Sequence, residues 1–422
     1  MTTNAWRPLP LSTLEPAEDG VSDDELFARF QPHFDRIAEG AVDRERARRN
    51  AIDEVDALRA AGFGAVRVPK AWGGGGATLR QLFRLLVALG RADSNLPQAL
   101  RQHFFHVELL ILSGEADGEL VSRVVAGELF GNATTEAGDA VIGRIGTRVV
   151  PAPDGDGYLL SGRKFYSTGN LYAQWIPVAA VDEEDRPLTV IVPRDREGVV
   201  VHDDWRGFGQ KLTASGTTEF LDVRVSADEV VPIAEPGSIL GAGFHQLVLL
   251  AVLAGIAGAA ARDSVELVRA RKRVHSTGPG VLPVHDPIVQ QSVGRTVAAE
   301  VQTALLVDGA AAAVEEAWRV WAGGDDIARA TELFVRAELV VAAAQAVIVP
   351  TVIETTGRLF DTLGATATDE TRALDRHWRN ARTVSSHNPH LYKERLLGDY
   401  ALNGTLPQGF QAGSDVGRLP GA

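Results

Sequence analysis

The chain contains no cysteine. Disulfides, thiolate metal sites and cysteine nucleophiles are thereby excluded. Basic charge is scarce: 42 Lys and Arg stand against 55 Asp and Glu, giving a net charge of −13 and a pI near 5.3. That balance argues against nucleic acid as a partner, because phosphate contacts need clustered cations. The opening residues, Met1 to Glu15, lack a basic stretch followed by an apolar core. No secretory leader is read, and a cytoplasmic location is expected. The longest apolar run, Leu247 to Ala261, is short for a bilayer span and rich in Ala and Gly. It is expected to be a helix buried in a bundle, with no membrane partner. No Gly-x-Gly-x-x-Gly nicotinamide fingerprint and no internal repeat is found.

What is there suffices for a large core: 422 residues, 45% hydrophobic, enough for two or three domains. Residues 1–129 read as an N-terminal helical domain. Asp23 and Asp24 open a helix that carries Phe30, Phe34 and Ile37 at helical spacing. The four glycines Gly73 to Gly76 read as a flexible turn, since no Lys-Ser/Thr follows to make a phosphate loop. Across residues 130–235 the hydrophobic period becomes two. Strand-like runs there are broken by Asp154-Gly155-Asp156-Gly157, a hairpin signal. An antiparallel β domain is expected. Residues 236–403 return to Ala-rich amphipathic helices over Phe244–Arg271, Ile288–Glu316, Asp326–Glu354 and Thr371–Arg382, most simply a four-helix bundle. Gly278 to Pro283 reads as a linker, and residues 404–422 as a loosely held tail. The fold class is α+β, mainly α. Wide apolar faces suggest that the bundle also packs against copies of itself.

His103 and His106 share a helical face at i and i+3. No third ligand is evident, so no metal is expected. Phe104 and Phe105 beside them are core or a substrate wall.

The order helices, β domain, helical bundle, together with three motifs, resembles the acyl-CoA dehydrogenase superfamily over Asp23 to Tyr400. The motifs are Phe130 to Glu136, Gly157 to Asn170, and Gly207 to Thr217 running on to Val225. Within it the chain is most similar to the flavin-dependent monooxygenase branch typified by dibenzothiophene monooxygenase. That closer likeness rests on Asn132, Ser167, Trp205, and the run Leu374 to Thr383 leading into His387-Asn388-Pro389. Many dehydrogenases of the superfamily carry their catalytic glutamate in the stretch matching Val384 to Pro389, and none stands here. The Gly-Gly-x-Gly element that contacts FAD adenosine is also missing from Gly357 to Thr366, which favours FMN while FAD stays open.

The resemblance implies a two-component enzyme. A separate NAD(P)H:flavin reductase supplies FMNH2. Oxygen then gives a C4a-(hydro)peroxyflavin, which oxygenates a small, largely apolar substrate at sulfur, nitrogen or activated carbon. It also implies a homotetramer. His387 becomes the candidate for managing the proton, against the plain reading of a histidine in a turn. His103, Asn132 and Ser167 complete the catalytic set. Asn132, Thr135, Ser167, Thr168, Trp205 and Ser215 are the expected flavin contacts. Arg271, slightly ahead of Arg273, is the candidate for a neighbouring subunit's flavin phosphate, against a solvated helix end. Arg376 and Arg379 are weaker candidates, Arg224 a surface residue and Glu136 structural. Two rivals remain: an FAD acyl-CoA dehydrogenase with its glutamate relocated near Glu266 or Glu354, and a catalytically inactive flavoprotein scaffold.

Overall fold

The computed structural model describes residues 20–407 except 115, 117, 137–144, 233–236, 275–277, 279–281 and 325, with backbone alone at 232 and 237–242. Most of the tail, and residues 279–281 of the linker expected at Gly278 to Pro283, lie outside the described residues.

Six helices come first: α1 (Asp23–Ala47), α2 (Ile52–Ala60), α3 (Leu79–Ala92), α4 (Asn95–Ala99), α5 (Arg101–Ser113) and α6 (Glu119–Val125). Ser22 starts α1 with a capping box to Glu25, which satisfies free amides at the helix start. The anticipated stripe of Leu26, Phe30, Phe34 and Ile37 is buried. Phe30 meets Phe63 edge-on at 5.1 Å, and Phe63 meets Phe104 likewise at 5.5 Å. The glycine run differs from expectation. It is a turn, but one laid backbone to backbone on Ala65 to Pro69, bonded through Gly75 N to Ala65 O and Gly76 N to Val68 O. A Cβ at Gly75 would lie 2.7 Å from Val66 O. Glycine serves close approach there.

Seven strands follow: β1 (Arg148–Pro151), β2 (Tyr158–Lys164), β3 (Trp175–Val181), β4 (Pro187–Pro193), β5 (Val199–Val201), β6 (Thr218–Val225) and β7 (Val230–Pro232). Their order is β5-β6-β2-β1-β3-β4-β7. The sheet is mixed rather than purely antiparallel, because β1 pairs β3 in parallel through Arg148 and Val181. The intervening β2 hairpins back onto β1, so β3 returns along β1's other edge in the same direction.

The last part holds three long helices, α7 (Gly237–Ala270), α8 (Pro287–Gly323) and α9 (Ile327–Leu363), and a broken fourth made of α10 (Asp375–Ser385) and α11 (His390–Asn403). All three long helices are long and apolar enough to cross a bilayer, so shortness was the wrong argument for α7. Burial is the right one: 94% of its apolar window is enclosed by protein. α3 crosses α7 where two glycines meet, a Cβ at Gly255 falling 2.5 Å from the Gly90 carbonyl carbon. The N-terminal helices and the bundle therefore share one core, to which Phe83, Leu86, Leu250 and Val341 all belong. α8 and α9 leave Ile288, Leu305, Val340 and Val347 exposed.

Candidate functional site

The turn after β2 is the centre of the site. Phe165 N donates to Thr135 O and Ser167 N to Gly216 O, tying the turn to the neighbouring loops. Tyr166 takes φ 55°, a left-handed conformation that costs an aromatic residue strain. Gly169, at φ 88°, lies so close to Ala99 O that a side chain would clash. Asn170 locks the turn, accepting from Asn132 N at 2.6 Å and donating to Thr218 Oγ1 at 2.9 Å. Held this way, the Ser167 hydroxyl is 1% exposed and has no hydrogen-bond partner. A buried unpaired hydroxyl is costly, and here it is free to bond a ligand.

Hydroxyls continue from it. Thr168 Oγ1 lies 2.8 Å from Ser215 Oγ, which lies 2.7 Å from Thr213 Oγ1. Asn132 Oδ1 accepts from Gln102 Nε2 at 3.0 Å and from Thr134 Oγ1 at 2.8 Å, while its Nδ2 donates to Tyr166 O at 3.3 Å. Trp205 is fixed by Nε1 donating to Gly209 O at 3.2 Å and stands edge-on to the half-exposed Tyr166 at 5.9 Å. The Thr135 side chain is exposed.

The second wall is helical. Asn380 of α10 accepts from Gln210 N at 2.6 Å and donates to Ser94 Oγ at 3.1 Å, docking the helix on both the β-domain loop and α4. The turn beyond α10 is held by Asn388, whose Nδ2 donates to Gln246 Oε1 at 2.8 Å and whose carbonyl accepts from Gln345 Nε2 at 2.6 Å. His387 Nε2 then lies 3.2 Å from Nη1 of Arg101. The guanidinium can only donate, so this ring nitrogen is the acceptor and Nδ1 carries the hydrogen. Surrounding protein and the Arg101 cation press the His387 pKa down to about 3. His387 is nevertheless an exposed residue, so burial is the weaker cause and the adjacent Arg101 cation the firmer one. His387 is therefore neutral, and it offers a hydrogen bond rather than a mobile proton.

His103 is not at the site. Its Nδ1 accepts from Phe130 N at 3.2 Å and its Nε2 donates to Gly64 O at 2.9 Å. Both nitrogens are spent on backbone, and burial lowers its pKa to about 4. The neighbouring positions Arg101 and Gln102 face the site instead, and sequence reasoning passed over both. No local signal marks Arg101: Glu108, the only carboxylate on α5, is taken by Arg67, which arrives from a distant part of the chain. Phe104 is core, and the half-buried Phe105 packs 4.2 Å from His245. Arg376 binds Asp263 at 2.9 Å and Arg379 binds Glu45 at 2.7 Å, so both are structural ties. Arg224 pairs with Asp154 on the surface. Glu136 is structural too: Lys164 at 2.6 Å, Thr147 and Gly146 outweigh burial and hold its pKa at about 2. Arg271 follows the end of α7, roughly 35 Å along that helix from Gln246 by the rise per residue. Its guanidinium lies near Gly364, at the far end of α9.

Comparison with known proteins fits this geometry. Residues 247–391 match the family described as acyl-CoA dehydrogenase, C-terminal domain. A dibenzothiophene monooxygenase from Rhodococcus erythropolis is 30% identical over 391 residues, covering 87% of this chain and 90% of that protein. The chain belongs to this family of flavin-dependent monooxygenases. Among solved structures, TdsC from Paenibacillus sp. A11-2, in complex with FMN and indole, superimposes with a TM-score of 0.80 at 26% identity, covering 92% of this chain and 99% of TdsC. Methanesulfinate monooxygenase MsuC from Pseudomonas fluorescens gives 0.79 at 28% identity, with the same coverage. The acyl-CoA dehydrogenase fold expected from the order of elements is the observed one.

For a flavin-dependent monooxygenase of this family the residues present suit the cofactor. An orphaned buried hydroxyl, a chain of further hydroxyls and an aromatic wall converge on one turn. Among the described residues no carboxylate bonds to Ser167, Asn132 or His387. Glu266 and Glu354, the alternative positions for a dehydrogenase base, are both exposed, and Glu354 is paired with Arg358. The site also differs from a cavity of about 790 Å³ lined by residues such as Arg123, Trp175 and Arg196. Several of its charges already pair within it, as Arg196 does with Glu229 at 2.6 Å and Arg123 with Glu119.

Proposed function

We propose that this chain is the oxygenase of a two-component system. It is an oxidoreductase that uses FMN, received in reduced form from a separate NAD(P)H-dependent flavin reductase, together with O2. The observation that carries this reading is the buried, unpartnered Ser167 hydroxyl beside Asn132, in a site where no carboxylate among the described residues bonds to Ser167, Asn132 or His387. Bound in its reduced form, FMNH2 would supply the two electrons and two protons with which one atom of O2 enters the substrate and the other leaves as water.

The chain's own groups do the rest. Ser167 Oγ and Thr168 Oγ1 bind the polar edge of the flavin, with Ser215 holding Thr168 in place. Asn132, neutral and oriented by Gln102, presents an amide that tolerates negative charge nearby. Trp205 and Tyr166 cover the ring system and exclude water, which suppresses loss of reduced oxygen as hydrogen peroxide. His387 donates from Nδ1. Relatives named for dibenzothiophene and for methanesulfinate act on sulfur compounds, and sulfur is the preferred acceptor for this chain, ahead of nitrogen or activated carbon. We place the enzyme in the cytoplasm as a homotetramer. The exposed apolar residues of α8 and α9 support the assembly.

The test is to mix the protein with FMNH2 and, separately, FADH2, then air, with aryl thioethers and small organosulfur compounds present. Product formation with FMNH2, and a protein-dependent delay before the oxidised-flavin spectrum returns, are expected. Stoichiometric hydrogen peroxide without product or delay would end the proposal. A clear preference for FADH2 would overturn the cofactor.

A further inference from the structure

Arg101 is a buried cation without a counter-charge. It is 7% exposed, and no carboxylate among the described residues pairs with it. The other buried arginines do not share this condition. Arg44 pairs with Asp93, Arg67 with Glu108, Arg84 with Asp308 and Arg376 with Asp263. Arg101 has only the neutral His387 at 3.2 Å, and its Nε is buried with no partner. Desolvation lowers the guanidinium pKa to about 10, which leaves it charged at neutral pH. Burying a lone cation is expensive, and a fold tolerates it where a ligand completes the pair.

Its position says which ligand. Arg101 precedes Gln102, whose amide orients Asn132, and it touches His387, so it lies in the same wall as the groups assigned to flavin and oxygen. A planar guanidinium with unspent donors is suited to two oxygens of a compact oxyanion. We propose that Arg101, backed by His387, binds the anionic head group of the substrate: a sulfinate, sulfonate or carboxylate attached close to the atom that is oxygenated. This rests on the monooxygenase reading and replaces the largely apolar substrate that the sequence suggested.

Reduced flavin is also an anion, so the test separates the two sources. Protein loaded with oxidised FMN is titrated calorimetrically with probes of matched shape in which a methyl group replaces the anionic oxygen: methanesulfonate against dimethyl sulfone, and benzenesulfonate against methyl phenyl sulfone. At least about tenfold tighter binding of the anion in one pair is expected, and Arg101→Gln erases that preference while Arg101→Lys keeps part of it. FMN affinity, read by flavin fluorescence, stays within about threefold in both variants. The melting temperature of flavin-free Arg101→Gln is unchanged or higher, because an uncompensated charge has gone. Arg224→Gln, which removes a surface charge, alters none of these readings. Equal binding within both pairs overturns the proposal. So does a loss of FMN affinity in Arg101→Gln without a change in anion preference, which assigns the arginine to flavin, or a marked fall in its melting temperature, which makes it structural. Anion preference in a protein that oxygenates nothing would sink the monooxygenase reading and leave the anion site standing.

Discussion

Nη1 of Arg101 lies 3.2 Å from Nε2 of His387, and that contact fixes the histidine as a neutral Nδ1–H donor. Its pKa, held down to about 3, keeps it uncharged throughout the neutral range. His387→Gln retains an N–H donor at every pH and is expected to keep most of the coupling of oxygen use to product. His387→Ala loses the donor and leaks hydrogen peroxide. The ratio of product to peroxide, followed from pH 5.5 to 8, checks this. A transition near pH 6.5 in the wild type that vanishes in His387→Gln would mean that the imidazolium works after all.

Ser167→Ala separates binding from folding. The hydroxyl is buried and unpartnered in the protein, so the fold loses nothing with it. Stability of the flavin-free protein should stay level or rise by up to about 1 kcal/mol. FMN affinity should fall about tenfold, or about 1.4 kcal/mol, because one hydrogen bond to the cofactor is gone. Fluorescence titration and thermal melting read the two effects independently. A destabilised flavin-free protein with normal FMN affinity would place the hydroxyl in the fold instead.

The succession of helices, strands and helices was legible because periodicity changes along the chain, and the turn at Ser167 because its residue pattern is distinctive. Strand direction was not: alternation in Arg148 to Pro151 and Trp175 to Val181 is the same whether they run parallel or antiparallel. His103 was misread for a related reason. Helical spacing puts it on a face, but nothing local reveals that Gly64 O and Phe130 N arrive from 39 and 27 residues away to occupy both nitrogens. Arg101 was missed because an isolated arginine in sequence looks like a surface residue. Its lack of a partner is a property of everything packed around it.

His103 should make the protein acid-sensitive. In the fold it is neutral with a pKa of about 4, whereas the unfolded side chain titrates near its ordinary value of 6.5. A depressed folded pKa means that the full stability is present above pH 6.5 and is lost as pH falls toward 4, because the unfolded chain binds the proton first. Between pH 7 and pH 5 the loss from this residue is about 2 kcal/mol. Protonating Nδ1 would also turn a hydrogen away from bonding and against the Phe130 amide. Denaturant midpoints at the two pH values, compared between wild type and His103→Gln, isolate the contribution from those of His106 and His377, whose pKa values are also lowered to about 4. An equal pH dependence in the variant would exclude His103 as the source.

Arg271 offers a test of the assembly. Within one chain it stands roughly 35 Å along α7 from Gln246, whose amide holds the turn that carries His387. The resemblance to the family assigns it to the flavin site of another copy. Arg271→Ala and Ser167→Ala should each weaken FMN binding when prepared alone. Unfolded together and refolded as mixed oligomers, they form some sites that combine the intact Ser167 of one chain with the intact Arg271 of its neighbour. Those sites should regain wild-type affinity, and about a quarter of all sites would do so if exchange is random and each site draws on one neighbour. A biphasic FMN titration with a tight fraction of that order supports the shared site. A single weak phase in the mixture, with mixed oligomers verified by mass, leaves Arg271 as the solvated basic end of a helix and removes the neighbouring subunit from the flavin site.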